Sequence, residues 1–289
     1  MFKRLLAKWL KPAKLGEFDL IIEPEKTTSD FLYELIKFRE LFVFMALRDI
    51  LVRYKQTVIG VAWSVIRPLL SMIIFTVIFG RVAKLPSEGG VPYPIMVFSA
   101  LLPWQYFANS MQSASEALLR MAPLISKVYF PRIILPTSAV LVSAVDFVIS
   151  FVLLCLLMLI YGFVPSPMMV FMPVFFLIAT ITALGIGYFV SSVGVKYRDF
   201  RHVMPFIVQF GLYVSPVGFS SSIIPERWRL LYSLNPMVGV IDGFRWCIQG
   251  TSSSLYVPGL IISLIMSSLV FCYGLKYFRK TERTFADFI

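Results

Sequence analysis

From Val61 onward the chain keeps returning to runs of about 20 residues that carry almost no charge, and nothing else in it constrains the fold as strongly. At ~1.5 Å rise per residue, such a run wound as an α-helix crosses the ~30 Å hydrocarbon layer of a bilayer. Six runs read this way: residues 61–80, 95–113, 138–162, 168–193, 203–219 and 258–277. Residues are 58% hydrophobic and 15% charged, against roughly half and a quarter in soluble domains. A chain of 289 residues builds no soluble core large enough to hide that excess. A membrane β-barrel would alternate apolar and polar residues in segments of about 10, and these unbroken runs do not. The expected fold class is therefore an all-α integral membrane protein with six transmembrane helices. The second run is the weakest, because Gln105, Asn109, Ser110 and Gln112 make its latter half polar. That half should face protein or water rather than lipid.

The cationic residues orient these helices. Of 27 Lys and Arg, only Arg81, Lys84, Arg227, Arg229 and Arg245 fall in the odd-numbered connections, and Arg67 lies inside the first span. All the others precede the first span, sit in the second and fourth connections, or lie at the end of the last span (Lys276) and beyond it. The positive-inside rule then places both termini in the cytoplasm. It also accounts for the net charge of +11 without invoking a nucleic-acid partner. The opening MFKRLLAKWLKPAK intersperses basic residues, and no apolar core follows before residue 31, so no cleavable signal is expected and a later helix acts as the insertion signal.

Two flanking regions depart from the spanning pattern. Residues 1–29 read as a cytoplasmic tail, residues 30–57 as an amphipathic helix and 58–289 as the six-helix domain. In the amphipathic segment Thr27, Thr28, Ser29 and Asp30 offer cap side chains. At about 100° per residue, Glu34, Lys37, Arg48, Asp49, Arg53, Lys55 and Gln56 gather opposite Phe31, Leu35, Phe38, Phe42 and Met45. Arg39 and Glu40 interrupt the pattern and predict a bend. The segment reads as a helix on the cytoplasmic membrane surface, either a plain anchor or a docking element. Residues 220–257 are too polar, and too broken by Pro225 and Pro236, to cross the membrane, yet too apolar for a solvated linker. Short helices re-entering the outer leaflet reconcile the two, with Pro216 and Gly218 ending the fifth span.

Residues that carry chemistry are few. The single histidine, His202, sits among basic residues, and no HExxH, CxxC or paired-carboxylate pattern occurs, so no catalytic or metal-ligating set is expected. Cys155, Cys247 and Cys272 form no disulfide framework. Without a GxxxxGK[ST] segment the chain lacks a phosphate-cradling loop of its own, and it is expected to bind no cofactor. Asp146, the acid deep in a span, is either a functional carboxylate or a structurally paired one. Arg67 either snorkels to the interface or faces a water-filled path.

Four blocks resemble a known family: ALRDILVRYKQTVIGVAWSVIRPLLSMIIFTVIFG (46–80), LISKVYFPRIILP (124–136), YRDFRHVMPFIVQFGLYVSPVGF (197–219) and LNPMVGVIDGFRWCIQG (234–250). Their order and spacing are similar to those of type-2 ABC exporter permeases, in the branch that exports O-antigen, capsule and teichoic-acid polymers. The resemblance implies a homodimer with a channel between the copies and two ATPase subunits, which hold ATP and Mg, on the cytoplasmic face. It also implies a polyprenyl-linked glycan as substrate and the bacterial inner membrane as location. The matching positions assign ATPase coupling to Arg48, Arg53, Tyr54, Lys127, Phe130, Pro131, Arg132, Arg198 and Asp199. Channel or gate positions would be Arg67, Ser215, Pro216, Asn235, Pro236, Phe244 and Arg245, with Trp104, Gln105, Tyr106 and Asn109 as candidate glycan contacts. The 220–257 segment would supply the outer gate helices. The competing readings are the same architecture exporting a drug or small lipophile, and a membrane glycan polymerase or ligase.

Overall fold

The computed structural model of the chain describes residues 35–55, 60–125, 127–128, 130–197, 199–250 and 255–285, and every regular element among them is helical. The first long helix, α1 (Arg39–Lys55), follows a short helical stretch that breaks at Phe38, next to the bend expected at Arg39. Next comes α2 (Gly60–Phe75), which accommodates Pro68 internally and runs on as a wider π-helical segment, Thr76–Val82. The chain continues through α3 (Tyr93–Arg120), the single turn α4 (Ala122–Ile125) and α5 (Ile134–Ile160). A 3-10 turn at Pro167–Phe171 leads into α6 (Met172–Lys196), followed by α7 (Phe200–Val214). The remaining helices are α8 (Glu226–Tyr232), α9 (Pro236–Gln249) and α10 (Val257–Glu282).

Among the described residues, four segments are long and apolar enough to cross a bilayer: Ala62–Val82, Ile134–Ile160, Pro167–Lys196 and Val257–Glu282. They coincide with the first, third, fourth and sixth runs read from the sequence. The other two expected spans take different forms. At 28 residues α3 has ample length, but it forms the centre of the molecule. It packs against α5 and α6 along their lengths, with α2, α7 and α9 around it. Ile95, Leu101, Tyr106, Met111, Ala114 and Leu118 are all buried. In its polar half Ser110 is buried and Gln105, Asn109 and Gln112 are half-buried, and along the helix Ser99 and Ser115 donate to the carbonyls of Met96 and Gln112 in the preceding turn. By contrast, α7 stops at Val214 after 15 residues, about 22 Å, because Ser215 is extended and Pro216 follows it.

The helices alternate in direction. The C-terminal ends of α3, α6 and α10 meet the N-terminal end of α5 in one apolar cluster containing Leu118, Ile134, Tyr188 and Phe278. Leu35, Phe38, Phe42 and Met45 pack onto this cluster. Phe31, also assigned to the apolar face of the amphipathic segment, lies outside the described residues. The rest of that face covers protein, while a second apolar set, Ile36, Val43, Phe44, Leu51 and Val52, points outward. A larger cluster fills the rest of the interior, built on α3, α5, α6 and α9. Two glycines allow α6 and α10 to touch backbone to backbone, since a Cβ on Gly274 would lie 1.9 Å from the Gly185 carbonyl oxygen. Thr182 Oγ1 donates to Ser267 Oγ (2.9 Å) beside that crossing.

Candidate functional site

An ionised carboxylate in an apolar interior is stable only with partners that replace its hydration. Asp146, halfway along α5 and 8% exposed, has three. Tyr54 donates its hydroxyl to Oδ1 (2.6 Å), Ser64 donates to the same oxygen (2.8 Å), and the Arg53 guanidinium pairs with Oδ2 (2.7 Å). Burial, reinforced by the bond to Asp146, pushes the Tyr54 phenol up to about 12, so it remains a donor at neutral pH. The carboxylate is thus structurally paired. Two expected coupling residues, exposed Arg53 and half-buried Tyr54, turn toward the protein side of α1 to hold it. Ser64 carried no signal of its own in the sequence.

The end of the molecule that gathers Arg120, Lys127, Arg132, Lys196 and the basic tail of α10 separates the remaining coupling candidates into exposed and internal residues. Lys127 and Asp199 are exposed, as are the neighbouring Val128 and Tyr197. Lys196 places its ammonium over the Tyr197 ring (5.2 Å). Half-buried Arg48 binds Asp49 through Nε (3.0 Å) and a terminal nitrogen (2.7 Å), and reaches Met121 Sδ. Phe130 and Pro131 are buried. Arg132 is tied to the end of α10: its amide donates to Glu282 Oε1 (2.9 Å) and its guanidinium to the Glu282 carbonyl, while the cation lies 5.9 Å from the Phe285 ring. Arg279 pairs with the same Glu282 carboxylate. The loop is thereby clamped to α10, leaving Lys127 and Val128 at its tip. Glu282, the partner in that clamp, was not singled out in the sequence. Arg198 lies outside the described residues.

At the opposite end the residues assigned to a gate converge. Asn235 caps α9, its Oδ1 accepting from Met237 N (3.1 Å), and its Nδ2 donates to Ser215 Oγ (3.0 Å). Pro236 occupies the first turn of α9, where a missing N–H costs nothing. Beyond the end of α7, residues 215–219 are not helical, and Arg245 answers their unpaired carbonyls by donating to Phe219 O (2.8 Å) and Val217 O (3.1 Å). Tyr93 donates to Gly218 O (2.6 Å), and the Phe75 and Phe79 rings lie against Gly218. Phe244 is fully buried and meets Phe147 edge-on (6.0 Å).

The aromatic candidates occupy the interior. Trp104 is 5% exposed, and its ring presses against Gly211 of α7, where a Cβ would come within 2.6 Å of it. Tyr106 is 3% exposed, packs tilted against Phe176 with ring centroids 4.6 Å apart and shares a hydrogen bond with Thr180. Gln105 and Asn109 are half-buried. Arg67, by contrast, is exposed on α2, with its guanidinium 5.7 Å from the Trp63 ring. Among the described residues no group of three or more His, Cys, Asp or Glu side chains could hold a metal ion.

A helical, multi-pass membrane protein with one basic end, a clamped loop there and a buried, capped helix at the other end is the class these features define. The chain belongs to the ABC-2 type transporter family, which matches residues 40–248. It is similar to an O-antigen export system permease protein RfbA of Klebsiella pneumoniae, 27% identical over 252 residues and covering 86% of this chain and 95% of that protein. Another RfbA of the same species is 26% identical over 257 residues, with the same coverage. The RfbA of Myxococcus xanthus is 29% identical over 216 residues, covering 73% of this chain and 81% of that protein.

Proposed function

We propose that this chain is the permease subunit of an ATP-driven exporter that moves lipid-linked, O-antigen-like polysaccharide across the bacterial inner membrane. The observation that carries this reading is the similarity to O-antigen export permeases over 86% of the chain, on a fold whose cationic loops collect at one end. That end faces the cytoplasm, with both termini, and two ATPase subunits dock there on the exposed residues Lys127, Val128, Lys196, Tyr197 and Asp199. Arg132, Phe130 and Pro131 support the docking loop from within. Hydrolysis belongs to the partner, and the permease acts by repositioning its helices, since only a partner that contacts two states differently shifts their balance.

A second copy completes the path. The first span is the least covered, with 11% of its apolar stretch buried against 39% for the fourth. On α7, Phe206, Phe210 and Tyr213 are also exposed. Together α2 and α7 offer the surface for a homodimer channel, with Arg67 and Trp63 on the exposed side of α2. Trp104 and Tyr106 lie inside the protomer and support that surface from behind. The short α7, the turn at 215–219 and α8–α9 form the outer closure, with α9 re-entering from the outer side, and α3 and α7 complete the six membrane helices. Export of a small lipophile is less well supported, because the similar permeases are named for a polysaccharide cargo.

Deleting the gene should trap lipid-linked glycan on the cytoplasmic side and strip the cell surface of the polymer. Fractionation and surface glycan staining read both. Normal surface glycan in the deletion strain would overturn the substrate assignment.

A further inference from the structure

We propose that Asp146 is the positioning residue that makes the end of α1, the start of α2 and the middle of α5 a single unit, so that force applied to the interface helix reaches the membrane spans. The inference rests on the exporter reading, in which the ATPase acts from the basic end.

Three groups from two elements converge on one carboxylate of a third. Tyr54 and Arg53 come from α1, Ser64 comes from α2, and the acceptor stands on α5. Apolar packing contributes less here. Leu51 and Val52, in the same turns of α1, point outward at 47% and 54% exposure, and α2 is the least buried span. Apolar contacts tolerate sliding, whereas charge-assisted hydrogen bonds hold distance and angle. Moving a donor away would leave the buried carboxylate short of a partner. The three helices therefore shift together or the carboxylate loses its solvation. Further along α1, Met45 and its neighbours sit on the apolar cluster at the basic end, so α1 spans the distance between the docking end and this carboxylate.

The test uses the full permease with its ATPase in lipid nanodiscs, comparing Asp146→Asn with wild type. Glycan exported per ATP hydrolysed is one readout. The other is the distance between spin labels on Leu51→Cys and Leu141→Cys, with the three native cysteines replaced by alanine. Asp146→Asn should assemble with the ATPase and hydrolyse ATP, yet export at least five-fold less glycan per ATP. Its α1–α5 distance distribution should broaden, with or without nucleotide. The exchanged pair Arg53→Asp/Asp146→Arg should recover both readouts. An unchanged export-per-ATP value overturns the proposal, whatever the distances do. So does an unchanged distance distribution, which shows that α1 and α5 stay joined without the carboxylate. If the wild-type complex exports no glycan, the exporter reading is what fails, and the distance measurement, which needs no substrate, still decides whether Asp146 holds α1 to α5.

Discussion

Arg245 and Asp146 are both buried charges, and each is kept by a different arrangement. Asp146 is solvated by side chains that arrive from other helices. Arg245 does the reverse, carrying its own donors to backbone carbonyls that a helix break has left without partners. Non-helical backbone at membrane depth survives only where protein satisfies it, and a guanidinium with five N–H groups suits that task. Replacing it as Arg245→Met keeps the volume but strands Val217 O and Phe219 O. The expected loss is about 2–4 kcal/mol, by analogy with charged hydrogen bonds and unsatisfied buried acceptors. Thermal unfolding in detergent should show a clearly lower midpoint. Exposed Arg227, stacked on Trp228 at the surface, is the control. Arg227→Met should change stability by no more than about 0.5 kcal/mol. The sequence marked Arg245 as a gate position. It could not show that the side chain serves the backbone, because that role depends on a turn 26 residues earlier.

At the scale of elements, the apolar runs foretold the helices that meet lipid better than those that meet protein. Residues 138–162 and 258–277 are strongly apolar overall, with a single charged residue each (Asp146 and Lys276), and α5 and α10 appear where expected. The centre of the molecule went to α3, the run with the weakest hydropathy, because a helix surrounded by other helices needs complementary shape and satisfied hydroxyls more than oiliness. Likewise, Leu35, Phe38, Phe42 and Met45 turn toward protein, onto the ends of α3, α5, α6 and α10. The tightest contact, between α6 and α10, hangs on two hydrogen atoms. Gly274→Val would push a side chain into the Gly185 carbonyl and part the helices, with an overpacking cost of roughly 1–3 kcal/mol or more. Less folded protein should reach the membrane fraction, by quantitative blotting, and the midpoint of thermal unfolding should fall.

For the whole molecule, the alternating helix directions and the distribution of Lys and Arg point to the same topology by separate routes. A cysteine placed by Lys127→Cys and one placed by Lys196→Cys should both resist a membrane-impermeant maleimide added to intact cells. A cysteine at Val164, 84% exposed at the other end, should react with it, in a background with the native cysteines replaced by alanine. Labelling of Lys127→Cys and Lys196→Cys from opposite sides would dismantle the topology and the docking surface with it. What the sequence alone determined was the solvent: long uncharged runs and cations on alternate connections dictate a bilayer and an orientation, because desolvating a charge costs far more than any local preference can repay. What only the tertiary structure decided was partnership. Arg53 and Tyr54 face Asp146, Arg132 grips Glu282, and Trp104 and Tyr106 lie within the protomer, because such pairings join residues 74 to 150 positions apart, and nothing local in a chain records which of its distant parts will meet.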